Sequence, residues 1–429
     1  MNSSRQSTLA LLLWIGFAAG QGAYAQAPTP APAAPAPPPP TAPITMQQAV
    51  DMTLEHNPEL LAYRQNLLSM KGQEVEAGLR QNPDFSVYGT DLSNPASSAT
   101  PYGYSLQLSR LFERGQKRRW RLDSARATTA QTDAQYHDQI RQTTLQVRQS
   151  FTNLLLAKAT LKLAQDNLSS FRHQLQINHD RFDAGDIGKL DYERLDLQLA
   201  QFESDESSAE MNLVQASDQL QTLIGYQQPS RSFDISGDLV PPALSSNLTD
   251  LEQKALAERP DYRAAQAAVR VADANVKLAY ANGTTDPTLE GEYDHSGTQS
   301  SYGFYVTIPI RIFDRNQGNK DTSKYLAQAS RFGEVAAQNQ VYSDVDQAWI
   351  SYTTSKVLSD RYNGHYLAEA KDVLSIAQFA YDHGGIALLD YLSALQDDRT
   401  TSLNALNSYA QTWLAIHQLS FASATEVVP

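Results

Sequence analysis

Phe182-Asp183-Ala184-Gly185-Asp186-Ile187-Gly188-Lys189-Leu190-Asp191-Tyr192 interrupts a long helical pattern, and its layout returns in Tyr381-Asp382-His383-Gly384-Gly385-Ile386-Ala387-Leu388-Leu389-Asp390-Tyr391. Both read aromatic, Asp, x, Gly, x, Ile, two residues, Leu, Asp, Tyr. Glycine in a run of helix formers marks a tight turn between two helices, because it enters the left-handed region without a Cβ clash. Two such turns, 199 residues apart, point to a duplicated helical hairpin.

Outward from the first turn, no glycine or proline occurs between Gly115 and Gly185. A helix of that length spans about 104 Å at 1.5 Å per residue. Leu145, Phe151, Leu154, Leu161, Leu168 and Phe171 form an intermittent apolar stripe among Gln, Asn and Ser, the pattern of an amphipathic helix with a wet face. A second uninterrupted helix is predicted from Lys189 to Ile224, ending at Gly225. Before the long helix, another runs from Ile44 towards Arg80, with Thr45 as N-cap and a restart at Asn57-Pro58; Asn82-Pro83 stops it.

The order then repeats. Glu258-Arg259-Pro260 echoes His56-Asn57-Pro58, Asp286-Pro287 echoes Asn82-Pro83, Tyr302-Gly303-Phe304 echoes Tyr102-Gly103-Tyr104, and Phe313-Asp314-Arg315 echoes Phe112-Glu113-Arg114. Anchors in one order at a nearly constant offset define two repeats, 44–224 and 248–424, with a connector over 225–247 and a tail over 425–429. In the second repeat, helices are expected over about 250–281, 316–383 and 386–423. In each repeat the two shorter helices together hold about as many residues as the long one. Stacked end to end, they match a single long helix beside them.

Each repeat also predicts a strand hairpin at the end away from its glycine tip, over 84–112 (Asp84–Leu92 and Tyr102–Phe112) and 288–312 (Thr288–Asp294 and Tyr302–Ile312). Tyr102, Tyr104, Leu106 and Leu108 alternate with Ser105, Gln107 and Ser109; Leu289, Gly291 and Tyr293 alternate with Glu290, Glu292 and Asp294. Strands of about 9–11 residues with one apolar and one polar face fit a membrane barrel. Four strands cannot enclose a lumen, and lipid does not tolerate open strand edges. Three copies would supply twelve strands, enough for a water-filled barrel, so a homotrimer is expected. Glu290, Glu292 and Asp294 then face that lumen. The competing reading is a secreted coiled-coil scaffold or adhesin without a pore, which has no need of aromatic lipid faces.

The rest of the 429-residue chain sets bounds. Arg5, the apolar run Leu9–Ala19 and the small-x-small Ala23-Tyr24-Ala25 read as a signal peptide over 1–25. A Pro/Ala-rich linker covers 26–43. The chain has no cysteine, so neither a disulfide framework nor a lipid-accepting Cys is expected. A net charge of −13 on an exported chain argues against nucleic acid as a partner. One basic cluster (Arg110, Arg114, Lys117, Arg118, Arg119, Arg121 and Arg126) follows the second strand, where it would either lie near membrane lipid phosphates or form a solvated, salt-bridged helix start. The eight histidines are scattered, and no zinc motif, phosphate loop, nucleophile elbow or thiol is visible. No catalytic residue, cofactor or metal site is expected, and energy must come from a partner.

The two tips, with Leu111-Phe112-Glu113-Arg114-Gly115-Gln116-Lys117 and Ile308-Pro309-Ile310-Arg311-Ile312-Phe313-Asp314-Arg315-Asn316-Gln317-Gly318, resemble the TolC-like outer membrane efflux proteins. The second of these segments looks most like the cobalt–zinc–cadmium efflux branch. The resemblance covers Ile44 to Ala424. It implies a mainly α fold: a trimeric twelve-stranded β-barrel in the outer membrane of a Gram-negative bacterium, continuous with a long periplasmic helical barrel. It further implies a passive exit duct in a tripartite pump, with a periplasmic adaptor and an inner-membrane transporter of the resistance-nodulation-division type. By family position, Gly185, Gly384, Leu190 and Leu389 would receive the adaptor, and Asp390, Tyr381 and Asp191 would form the periplasmic gate. The chain departs from the archetype at Ile386, where a basic gating partner stands, and at Ser393, where a second acidic residue stands. The gate is therefore expected to have fewer polar links.

Overall fold

The computed structural model describes residues 42–90, 102–244 and 247–428. The expected leader, most of the linker and the loop between the first two strands lie outside these residues. The first half contains α1 (Met46–His56), α2 (Pro58–Gly78), β1 (Asp84–Thr90), β2 (Gly103–Leu111), α3 (Lys117–Ala184) and α4 (Lys189–Ile224). The second contains α5 (Leu248–Glu258), α6 (Pro260–Asn282), β3 (Thr288–Ser296), β4 (Gln299–Thr307), α7 (Gln317–Arg361), α8 (Leu367–Asp382) and α9 (Leu388–Ser423).

Local chemistry accounts for the starts and joints. Thr45 closes a capping box: its Oγ1 accepts from the Gln48 N–H at 3.3 Å, and Gln48 Oε1 accepts from the Thr45 N–H at 2.9 Å. Pro58 occupies a helix start, where its missing donor costs nothing. Asn57 caps that helix through Oδ1, while its Nδ2 donates to the Leu223 carbonyl near the end of α4 at 2.8 Å. At the equivalent joint, buried Arg259 donates to the Ala422 carbonyl near the end of α9 at 3.3 Å. Asp261 and Asp344 hold that guanidinium at 2.5 and 2.8 Å. Burial alone would raise the Asp261 carboxyl, but Arg259 and Arg141 beside it bring it below its ordinary range. In each half, then, the joint between the two short helices is tied by one side chain to a carbonyl near the end of the last helix.

Three apolar clusters follow one another along the helices. Phe151, Leu154 and Leu155 of α3 pack with Leu220 and Ile224 of α4, Val50 of α1 and Tyr409 of α9. The connector joins this cluster through Phe233 and Ile235, and Ile235 forms a parallel bridge to Ile44. Val341 and Val345 of α7 pack with Leu251 and Ala255 of α5 and Ile416 and Leu419 of α9. The third cluster lies at the tips: Leu168, Phe171, Leu195 and Phe202 of the first hairpin enclose Tyr381, Leu388 and Tyr391 of the second.

The strands form one antiparallel sheet in the order β1-β2-β3-β4. Pairs such as Leu106 with Tyr293 and Gln107 with Glu292 keep the apolar and polar sets on opposite faces. The second hairpin differs from its expected range. β3 runs on to Ser296 and turns tightly at Gly297 (φ 65°), and β4 stops at Thr307 rather than Ile312. Pro309, which lacks a ladder donor, stands two residues beyond that end. The helix expected over 316–383 is also divided: a π-helical turn over Tyr362–Tyr366, containing Gly364, separates α7 from α8.

Candidate functional site

The glycine tips are built alike. At the first, the Gly185 N–H donates to the Phe182 carbonyl at 3.0 Å and the Asp186 N–H to the Arg181 carbonyl at 2.8 Å. At the second, Gly384 donates to Tyr381 at 3.0 Å and Gly385 to Ala380 at 2.7 Å. Each is a Schellman closure that satisfies the last carbonyls of a helix and needs a left-handed residue. Gly185 (φ 83°) and Gly384 (φ 73°) supply it. Leu190 and Leu389 follow on the first turns of α4 and α9, 62% and 69% exposed, although apolar.

Each tip carries an aromatic stack. Phe182 lies on Tyr192 with centroids 5.2 Å apart and planes at 12°, and Tyr381 lies on Tyr391 at 5.2 Å and 10°. The Tyr381 hydroxyl donates to Oδ1 of Asn178, a fully buried residue of α3, at 2.9 Å. The Arg181 guanidinium sits over the Tyr381 ring, 5.3 Å from its centroid. Burial raises the Tyr381 phenol; Arg181 opposes this, while Asp191 and Asp382 add to it. Burial, with Asp382 and Tyr381, pushes the Tyr391 phenol up to about 12. Both phenols therefore stay neutral and act as hydrogen-bonding and packing groups.

Tyr381 and Asp191 thus lie close enough to interact electrostatically, across the two hairpins. Arg194 approaches Asp191 at 3.9 Å. Asp390 stands exposed on the first turn of α9, where the helix dipole favours a carboxylate. Ile386 is half-buried against the tip cluster. Asn178 and Arg181 escaped the sequence reading, because a polar residue inside a polar-rich helix gives no local signal. The aromatic pairs did have one: the same spacing of ten residues, twice.

Glu290, Glu292 and Asp294 share one face of β3, at the opposite end of α3, about 100 Å from the tips. Ser105 Oγ donates to Glu292 at 2.7 Å, and Gln107 Nε2 donates to Glu290. Tyr104, Leu106 and Leu108 line the other face with Tyr293, Tyr302 and Phe304. Of the basic cluster, Lys117 is buried and spans to the second half, bonding Asp286 at 2.5 Å and the Thr284 carbonyl at 2.7 Å. Arg121 pairs with Glu113.

A small two-faced sheet of four strands set on long duplicated helical hairpins places the chain among mainly helical proteins with one antiparallel sheet. The sequence profile of the outer membrane efflux protein family matches residues 49–226 and 251–420, and the chain belongs to that family. It is an outer membrane efflux channel protein rather than a pore-free scaffold. The cobalt-zinc-cadmium resistance protein CzcC of Cupriavidus metallidurans is 25% identical over 376 residues, covering 87% of this chain and 88% of its own. The cation efflux system protein CusC of Escherichia coli K12 is 26% identical over 266 residues, covering 58% of this chain and 56% of its own. In fold, the chain matches the crystal structure of a membrane protein from Pseudomonas aeruginosa with a TM-score of 0.77 at 18% identity, covering 91% of this chain and 99% of that one.

Proposed function

We propose that three copies of the chain join their sheets into one twelve-stranded barrel and their helices into a periplasmic tunnel, making the exit duct of a tripartite efflux system. The observation that carries this reading is the sheet itself. Among the described residues, β1 and β4 are its edges, each presenting unpaired backbone groups, while Phe85, Leu108, Tyr302 and Phe304 are exposed on its apolar face. In lipid such edges must be paired. Strand β4 of one copy meets β1 of the next, and the polar face with Glu290, Glu292 and Asp294 turns to the lumen.

The cargo class is metal cations. Two relatives named for cation resistance or efflux support this, as do the nine carboxylates that a trimer would place around the lumen. Gly185, Leu190, Gly384 and Leu389 meet the periplasmic adaptor, which joins the duct to an inner-membrane transporter of the resistance-nodulation-division type. Asp390, Tyr381 and Asp191 line the periplasmic mouth.

The cysteine-free chain makes the assembly directly testable. Single cysteines placed on β1 and β4 of the same chain should crosslink under oxidation into closed trimers at matching registers. Absence of any crosslink across the scanned registers, or ladders that continue past three copies, contradicts the closed barrel.

A further inference from the structure

We propose that the cavity at the junction of sheet and helices binds the phosphate of an outer membrane lipid headgroup; this rests on the reading of the sheet as the membrane-spanning part. The cavity holds about 570 Å³ between the end of α2, the end of β2 and the first turn of α3. Its lining contains five cations, Arg80, Arg110, Lys117, Arg118 and Arg119, and one carboxylate, Glu113.

The structure uses only some of these charges. Glu113 is engaged by Arg121, and Lys117 by Asp286. Arg119 donates to Gln116 Oε1 at 3.1 Å and has one long ion pair, 3.9 Å, with Asp123. Among the described residues, no carboxylate lies within 4.0 Å of Arg80, Arg110 or Arg118. Guanidinium groups present forked donors that match phosphate oxygens, and several around one cavity repel one another until an anion enters. The local helix adds to that repulsion. Lys117, Arg118 and Arg119 occupy the first turn of α3, at the positive end of its dipole, with no acidic residue and no side-chain cap.

The neighbouring surface decides between a free phosphate and a lipid. Arg110 lies on the same face of β2 as Leu108, which is exposed, as is Phe85 opposite it on β1. Arg110 also covers the ring of exposed Phe112 at 5.1 Å. The cationic cavity therefore continues directly into the apolar face, as a headgroup joined to acyl chains requires. The corresponding turn of α7, Gln317-Gly318-Asn319-Lys320, carries a single cation, whose Nζ donates to the Arg315 carbonyl at 2.9 Å, so one site per chain is expected.

The test uses the full protein in detergent and native mass spectrometry, with phosphatidylglycerol, phosphatidylcholine or inorganic phosphate as probe. The native protein should retain phosphatidylglycerol in preference to phosphatidylcholine. An Arg80→Gln/Arg110→Gln/Arg118→Gln variant should lose that preference on the order of tenfold, and the matching Arg→Lys triple variant should keep most of it. Among the described residues the three side chains carry no ion pair, and an unchanged helical circular dichroism spectrum verifies folding. Equal phosphatidylglycerol retention by the Gln variant overturns the site. Retention of inorganic phosphate without lipid overturns the lipid assignment. Conductance of the same protein in phosphatidylcholine bilayers is a separate readout: lipid retention without conductance contradicts the duct, and conductance without lipid preference contradicts only this site.

Discussion

At the first tip Phe182 stacks on Tyr192 with both rings half-exposed, whereas at the second Tyr381 stacks on Tyr391 with both rings buried against the first hairpin. The same contrast recurs elsewhere. α3 runs unbroken for 68 residues, while its counterpart is divided by a π-helical turn. The joint held by the neutral Asn57 in the first half is held by a buried ion-paired Arg259 in the second. Duplication kept the backbone plan, and each half then adapted to different neighbours. Within the chain, the second tip is covered by the first hairpin, while the first tip keeps its rings half-exposed.

The largest test of this asymmetry lies at the helix starts. Lys117→Met strands the Asp286 carboxylate, whose side chain is largely buried, and should cost about 3–5 kcal/mol in denaturant unfolding. In the second half the comparable tie is neutral, from Asn316 Nδ2 to the Ala279 carbonyl at 2.7 Å. Asn316→Gly should cost about 1 kcal/mol. Equal costs would break the distinction between a charged and a neutral clamp.

At the tips, Tyr391→Ala should cost about 3 kcal/mol, and Tyr192→Ala about 1, read as the rise in amide exchange of the adjoining helix ends. A cost at Tyr192 matching that at Tyr391 would show that burial does not separate the tips.

A smaller difference is set by pH. His417 in α9 is buried, contacts Thr152 Oγ1 at 3.0 Å and stacks on Trp413. Burial, with Arg148 nearby, lowers its pKa to about 3. The unfolded chain therefore binds this proton more readily than the folded one. Stability is full above about pH 6.5 and falls by about 1.4 kcal/mol per unit as pH drops towards 3, or about 2 kcal/mol by pH 5. The residue 199 positions earlier is Asp218, in a solvent-exposed pair with Arg231 that contributes little. His417→Gln should flatten the slope in urea unfolding at pH 7 and pH 5, and Asp218→Asn should leave it unchanged.

Much of this plan is legible in the sequence because it rests on local rules. Glycine in a helical run, Asn57-Pro58 at a joint and alternation along Tyr104–Leu108 each need only neighbouring residues to be read. The stacking of two short helices along one long helix follows from matched lengths. What stayed hidden depends on contacts far apart in the chain. Asn178 shows no sign of its role until Tyr381 arrives from 203 residues away. Lys117 read as one more cation of a basic cluster, yet the fold buries it against Asp286. The π-helical turn gives no pattern beyond Gly364, and a glycine within a helix is commonly tolerated.

The central claim is that this chain forms a cation-conducting trimeric duct, and planar-bilayer recording of the purified protein tests it most directly. The account predicts discrete conductance steps from a heat-resistant trimer, with a reversal potential favouring cations that moves towards zero in Asp390→Asn. A monomeric protein that gives no conductance, or an anion-selective pore, would contradict it.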